Sequence, residues 1–386
     1  MSSHGPFTEP YPRFSAGEMK ERRASLERLM TEHQVAHLIL YGANRFGSAV
    51  AWLTRWPVTR EALVVVTPGE PDVLFVHFYN HVPLAQRLAA DADVRWAGET
   101  MATAIGELER RGARGRRVGF IGPLGYAAHH ALAEVARELV DLSSGYTLLR
   151  TIKSAEELEW LRVGTALTDD AMRALQSQAR PGMTEHELGN LVERAYVGRG
   201  GTTHIHYFGM TPMRSPAMSV PAQWASKRSL AGGDVLTSEI SASFWDYPGQ
   251  LLRTFSVADE PVELYRELHA AADAAFDAII ECLGPGATAQ EVVDASTVIE
   301  DADFTTRDDL VHGFVGGYLP PILGSTSRAL APVPDFTFEA GMAVVVQPNV
   351  VTHDERAGVQ TGELVLVTNG GPERLHNFER GLLRIA

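Results

Sequence analysis

The chain has 386 residues, 45% of them hydrophobic and 21% charged, with a formal net charge of -14. That length accommodates two domains and a large core, while the acidic balance excludes the basic footprint of a nucleic-acid binder and disfavours attachment to an anionic membrane. Cys282 is the only cysteine, the opening MSSHGPFTEPYPRF has no apolar signal region, and no apolar run is long enough to span a bilayer; an intrachain disulfide and a cysteine zinc site are thereby excluded, and a cytoplasmic location is expected.

Residues 1–15 are polar and contain proline, and are expected to form an arm. Residues 15–33 read as a helix, because Met19, Leu26, Leu29 and Met30 fall on one stripe. Strand-like runs follow at 36–41, 62–67 and 73–77, then helical stretches at 82–90 and 101–111, an apolar strand at 117–121 and a helix at 127–139. This alternation predicts an α/β domain over 16–150, a sheet covered by helices.

A composition change at Lys153-Ser154 marks the start of a second domain, taken as 151–386. Ser154 and Glu157 form a capping box ahead of a long helix reaching residue 179. An internal repeat follows. Pro181-Gly182-Met183-Thr184-Glu185-His186-Glu187-Leu188 returns as Pro285-Gly286-Ala287-Thr288-Ala289-Gln290-Glu291-Val292. Each copy is a loop feeding a helix capped by Thr and Glu, and each follows a long helix, at 154–179 and 262–283. The plain explanation is that helix starts look alike; the sharper one is a duplication, two helix-helix-strand halves with a site where they meet.

The stretch 233–257 reads as a hairpin, two β-branched runs around Asp246-Tyr247-Pro248-Gly249. Period-two alternation puts Thr237, Glu239 and Ser241 on one side. The returning run is expected to bring Gln250, Arg253 and Phe255 beside them. Residues 343–350 with 362–368 close the other half in the same way.

In this order, Leu149-Arg150-Thr151-Ile152-Lys153-Ser154-Ala155-Glu156-Glu157-Leu158, the first Pro-Gly loop, Gly233-Asp234-Val235, Arg253-Thr254-Phe255, His312-Gly313, Ala340-Gly341-Met342 and Val365-Leu366-Val367-Thr368 resemble the creatinase, aminopeptidase P, prolidase and methionine aminopeptidase group. The resemblance covers most of the chain. It implies an α+β protein with a pita-bread domain at 151–386, behind a smaller creatinase-type α/β domain. Peptidases of the group hold two divalent metals with two Asp, one His and two Glu. By position these fall here on Glu239, Gln250, His312, Gln347 and Gly362, and Glu363 would point to the other face; a further active-site His falls near Ser219. Hard divalent ions need several anionic oxygens. A set keeping Glu239 and His312, with neutral amides or glycine elsewhere, is therefore expected to hold no metal and need no cofactor.

The resemblance implies instead a metal-independent enzyme acting on a small polar metabolite. C–N hydrolysis of creatinase or ectoine-hydrolase type, or a proton-transfer lyase or isomerase step, would use His312 and Glu239 as acid and base. Gln250 and Gln347 can orient a polar or carbonyl group without charge, and Asp246, Arg253 and Tyr318 lie nearby in sequence or motif. His204 and His206, two apart on a strand face, can line the same cleft. Arg55 and Arg60 sit where the resemblance places a partner protomer's contribution, so a homodimer is expected, with either arginine able to bind a substrate carboxylate. Plainer roles are open for each residue: a Glu239–Arg253 cross-strand pair, a structural His312, ordinary strand glutamines and surface arginines. Two other functions are open too: a non-catalytic binding protein on the same fold, and an Xaa-Pro-type metallopeptidase, which the ligand count disfavours.

Overall fold

The computed structural model describes residues 11–386; most of the expected arm, residues 1–10, lies outside the described residues. By its internal contacts the described chain divides after Leu149 into two compact units. The first is built on a six-stranded sheet in the spatial order Asp93–Trp96, Val73–Val76, Glu61–Val66, His37–Ala43, Arg117–Ile121, Glu138–Asp141. Its central pairs, 37–43 with 61–66 and 61–66 with 73–76, are antiparallel, and the outer pairs are parallel. Ala62, Leu63, Val64, Val65 and Val66 are all inaccessible, the continuous apolar signature of a strand covered on both faces. The helix expected at 127–139 is shorter. It ends at Ala133, and Glu138–Asp141 is the sixth strand, because Leu139 and Val140 find a parallel partner in Val118 and Gly119.

The second unit is organised around a mostly antiparallel ten-stranded sheet. Its main path runs Tyr318–Leu323, Val311–Phe314, Ala343–Val346, Gly362–Leu366, Leu251–Val257, Asp234–Phe244, Thr202–Pro212. The seam between the two halves is the pairing of Leu251 with Glu363 and Leu252 with Gly362. The repeat is present in the backbone bonding as well as the sequence. Gly182 N–H donates to Leu230 O and Gly286 N–H to Phe338 O, while Leu230 and Phe338 return bonds to Met183 and Ala287. Gly182 and Gly286 take φ of 96 and 94°, a left-handed conformation open to glycine. Both capping boxes are complete, Thr184 with Glu187 and Thr288 with Glu291. The same pair of backbone bonds, made at the same two positions of each Pro-Gly motif, favours duplication over coincidence of helix starts.

The helices pack on the sheet through apolar faces. Tyr265, Leu268, Ala272, Phe276 and Ile279 of the Glu263–Cys282 helix join Val344, Val346, Val365 and Val367 in one buried cluster, each large side chain contributing about 1.5–3 kcal/mol. In the other half the Ala155–Gln178 helix comes unusually close to the sheet. A Cβ on Gly164 would stand 2.1 Å from Tyr247 O, and one on Gly249 2.6 Å from Thr165 Cα. The Pro248-Gly249 pair thus serves that approach. The hairpin reverses earlier, at Trp245 and Asp246, both with positive φ, as a tight two-residue turn requires.

Candidate active site

Strand parity assembles the site. Leu252 stands opposite Glu239 and Gly362, so Gln250, two residues earlier, shares their face. His312 stands opposite Val345, which puts Gln347 on the same face as His312, and Gly362 lies directly against the Cα and Cβ of Gln347. Glu239 and Gln250 come from the first half of the unit, His312 and Gln347 from the second. All four are buried, at 7, 0, 0 and 1% exposure.

Gln250 ties the halves together: its Nε2 donates to Glu239 Oε1 at 3.0 Å and to Gln347 Oε1 at 3.1 Å. Gln347 Nε2 in turn donates to the backbone carbonyl of Asp309 at 3.2 Å. Burial first, then the nearby carboxyls of Asp308 and Asp309, push the proton affinity of Glu239 up to about 8. Burial pushes His312 down to about 4. Its Nδ1 donates to Gly313 O at 3.1 Å, which leaves Nε2, 3.8 Å from Asp309 Oδ2, as the lone-pair nitrogen. The Tyr318 ring stacks on the imidazole with centroids 4.0 Å apart, and its hydroxyl donates to Asp309 Oδ1 at 3.3 Å.

Asp308 and Asp309 did not emerge from the sequence. Burial and the neighbouring Asp309 carboxyl raise Asp308 to about 6, and burial also raises Asp309. An adjacent acid pair four and three residues before His312 was the available signal. With Glu239, Asp308 lines a cavity of about 540 Å³ whose other walls include Ile205, Tyr207, Pro221 and Tyr318.

Several expected site residues are placed elsewhere. Arg253 and Phe255 occupy the opposite face of the hairpin, since both are an odd number of residues from Gln250. Arg253 is 2% exposed and gives Nη2 to Glu363 Oε2 at 2.7 Å, with further bonds to the carbonyls of Glu379, Leu252 and Gly362. It neither pairs with Glu239 nor reaches the cavity. Glu363 lies on the far face, as expected. His204 and His206 do not share surroundings, because a register shift falls between Thr203 and Ile205. His206 Nε2 meets Tyr196 Oη at 2.9 Å on the helix side, and burial lowers it to about 4. His204 is exposed and sits edge-on to Phe314, which is edge-on to His312. Asp246 is exposed in the hairpin turn.

Arg55 and Arg60 belong to the amino-terminal unit. Arg55 ends the Ser48–Thr54 helix at φ 62° and donates to Leu88 O. It lines a second cavity, of about 420 Å³, with Arg23, Asp72 and Asp91. Arg60 is exposed, and its guanidinium donates to Asn44 Oδ1 at 3.5 Å.

The sequence model of metallopeptidase family M24 matches residues 159–369, more than half of the chain. The chain belongs to metallopeptidase family M24. It is 27% identical over 270 residues to an uncharacterized peptidase of Bacillus subtilis, covering 67% of this chain and 71% of that protein. It is 25% identical over 236 residues to an Xaa-Pro dipeptidase of Pyrococcus furiosus, covering 61% of this chain and 66% of that one. Among solved structures it resembles an Xaa-Pro dipeptidase from Bacillus anthracis, with TM-score 0.79 and 21% identity over 95% of this chain and 99% of that one. Prolidase from Pyrococcus furiosus gives TM-score 0.75 at 21% identity, over 92% and 99% of the two chains. These likenesses fix the fold: an α/β unit followed by a pita-bread unit.

The family's name implies metal, and the side chains present in the cleft do not fit a dinuclear centre. Among the described residues, no three His, Cys, Asp or Glu side chains form a group suited to an ion. Gln250 offers a neutral amide, and both its N–H groups are spent on Glu239 and Gln347. At 362 a side chain is barred, since a Cβ would lie 2.7 Å from Gln347 Cα, Gln347 Cβ and Val346 O. Glu363 is committed to Arg253 and Arg374. Among the described residues, no helix is long and apolar enough to cross a membrane.

Proposed function

We propose that this member of the family hydrolyses an amide C–N bond in a small, peptide-like molecule, with Glu239 and His312 making the proton transfers. One observation carries the reading: two titratable side chains on one sheet face have their proton affinities pushed apart, Glu239 up to about 8 and His312 down to about 4. Near neutrality Glu239 therefore holds a proton and His312 is a neutral imidazole. Nε2 takes a proton from water as the water oxygen bonds to the amide carbon. Glu239 gives its proton to the leaving nitrogen as the C–N bond breaks. An acid and an amine leave, and the proton on His312 passes through solvent back to Glu239. Asp309 Oδ2, 3.8 Å from Nε2, supports the transient imidazolium.

The steps use the chain's own groups alone, because the donor set does not fit the family's metal pair. The sequence preferred a non-peptide metabolite. Relatives that are Xaa-Pro dipeptidases move the expected substrate toward a dipeptide. No observation favours the lyase or isomerase step. Dimerisation, with Arg55 or Arg60 of one copy serving the site of the other, is proposed on resemblance alone; mass measurement in solution and R55Q and R60Q kinetics test it.

The experiment is amine release from a set of dipeptides, including Ala-Pro and Gly-Pro, by the wild type, E239Q and H312A. Each variant is expected to lose about 10²–10⁴-fold in turnover. Equal turnover in all three sinks the assignment. Tight binding without turnover by the wild type would instead favour a non-catalytic binding protein.

A further inference from the structure

The cavity of about 420 Å³ is lined by residues of the amino-terminal unit alone, and the chemistry assigned to Glu239 and His312 makes no use of it. Its volume is in the range of small-molecule sites. Leu53, Leu88 and Ala89 give it an apolar wall and are 7, 2 and 4% exposed. Its charged side chains divide by pairing. Arg23 is neutralised: Nε and Nη2 each donate to an oxygen of Asp72 at 2.8 Å, and Nη1 donates to Glu27. Arg55 and Lys20 line the same cavity, and among the described residues neither has an acid within ion-pair distance. Asp91, the acid on this wall that Arg23 does not engage, is exposed.

The backbone fixes Arg55 at this wall. It closes the Ser48–Thr54 helix at φ 62°, a left-handed cap where glycine is the ordinary residue and a side chain carries a cost. Its Nη2 donates to Leu88 O. A guanidinium has five N–H donors, so one bond to a carbonyl leaves most of them to another acceptor. The group is half-buried. Burial, then the charge of Arg13, lowers its hold on its proton; Asp91 offsets part of this and Arg22 adds to it. A desolvated cation held among other cations is a cost that a bound anion relieves.

We infer that this cavity binds a small carboxylate with an apolar body, its two oxygens forked on the Arg55 guanidinium and its chain against Leu53 and Leu88, with Lys20 adding positive charge. A planar carboxylate matches the guanidinium fork, and two charge-assisted bonds replace the water that burial removes. A cation is repelled by Arg55 and Lys20, while Asp72 and Glu27 are spent on Arg23. A neutral molecule of equal size leaves the guanidinium desolvated without a counter-charge. The site does not depend on amide hydrolysis in the carboxy-terminal unit. It gives Arg55 a carboxylate within its own unit and leaves Arg60 as the arginine for a contribution to a partner copy.

The test is calorimetric titration of the full chain at pH 7 with 4-methylpentanoate and with 4-methylpentanamide, the same skeleton carrying a neutral amide. The wild type is expected to bind the carboxylate about tenfold or more tightly than the amide. R55Q is expected to remove that preference. A24F places a ring in the cavity from the Ala16–Glu32 helix and is expected to abolish binding of both compounds, with a thermal melt showing that it is folded. D91N removes a repelling charge from the wall and is expected to tighten the carboxylate while leaving the amide unchanged, a readout that does not depend on the folding of R55Q. Equal affinity for the two compounds in the wild type, including binding of neither, overturns the inference. So does a preference that survives in R55Q or in folded A24F, which would seat the carboxylate elsewhere, and so does weaker carboxylate binding by D91N.

Discussion

Gln250 Nε2 lies 3.0 Å from Glu239 Oε1, so a buried carboxyl is held by a neutral amide rather than by a cation. An amide partner leaves the group free to keep its proton, and burial then raises its affinity to about 8. The same amide bridges to Gln347 across the seam of the two halves. Q250L keeps the volume and removes both bonds, stranding two buried acceptors. It is expected to cost about 1–3 kcal/mol, read as a lowered midpoint in denaturant with an unchanged m-value.

The opposed shifts of Glu239 and His312 set a pH profile. The base works above about 4, where His312 is neutral, and the acid works below about 8, where Glu239 holds its proton. The kcat/KM of the wild type is expected to be bell-shaped, with limbs near those values. A profile that climbs steadily through pH 9 is incompatible with Glu239 as the acid.

Stability carries the same signature with its own sign. The folded-state value of Glu239 lies above its ordinary 4.5. Its contribution to stability is therefore complete below about 4.5 and is lost as pH rises through about 8. E239Q cannot ionise and escapes that loss. Relative to the wild type it is expected to gain about 2–4 kcal/mol between pH 5 and pH 9, measured by chemical denaturation at the two pH values. An equal difference at both would mean that Glu239 titrates normally.

Arg253 and Glu363 form a pair 2.7 Å apart on the far face, with exposures of 2 and 0%. R253M leaves Glu363 with Arg374 alone. A loss of about 3–5 kcal/mol is expected, with KM unchanged at temperatures where the protein is folded. A KM effect in folded R253M would return Arg253 to the substrate side.

Gly362 tests whether the lost carboxylate position can be refilled. Its Cβ would press on Gln347 and on Val346 O at 2.7 Å, so G362A is expected to cost about 1–3 kcal/mol, and G362E is expected to misplace Gln347 rather than recruit a metal. Thermal melts with and without divalent ions check both.

Much of this architecture was legible because capping and repetition are local. The Ser154, Thr184 and Thr288 boxes form as their spacing predicts, and the order of short motifs specified the pita-bread fold. Facing was less legible. Counting from Gln250 to Arg253 crosses an odd number of residues, so the arginine turned to the other face. A register shift beside His204 separated it from His206, and no composition signal marks such a shift. Asp308 and Asp309 sit between the Thr305–Thr306 and Val311–Phe314 strands, outside any periodic pattern. Their role comes from burial next to Glu239, which only the tertiary structure reveals.

The most direct test of the central claim is amine release from the responsive dipeptide by protein dialysed against chelator, compared with E239Q treated alike. The account predicts that the chelated wild type keeps its turnover and that E239Q loses at least about 10²-fold. Turnover that appears only when a divalent metal is added, and that E239Q retains, would contradict it.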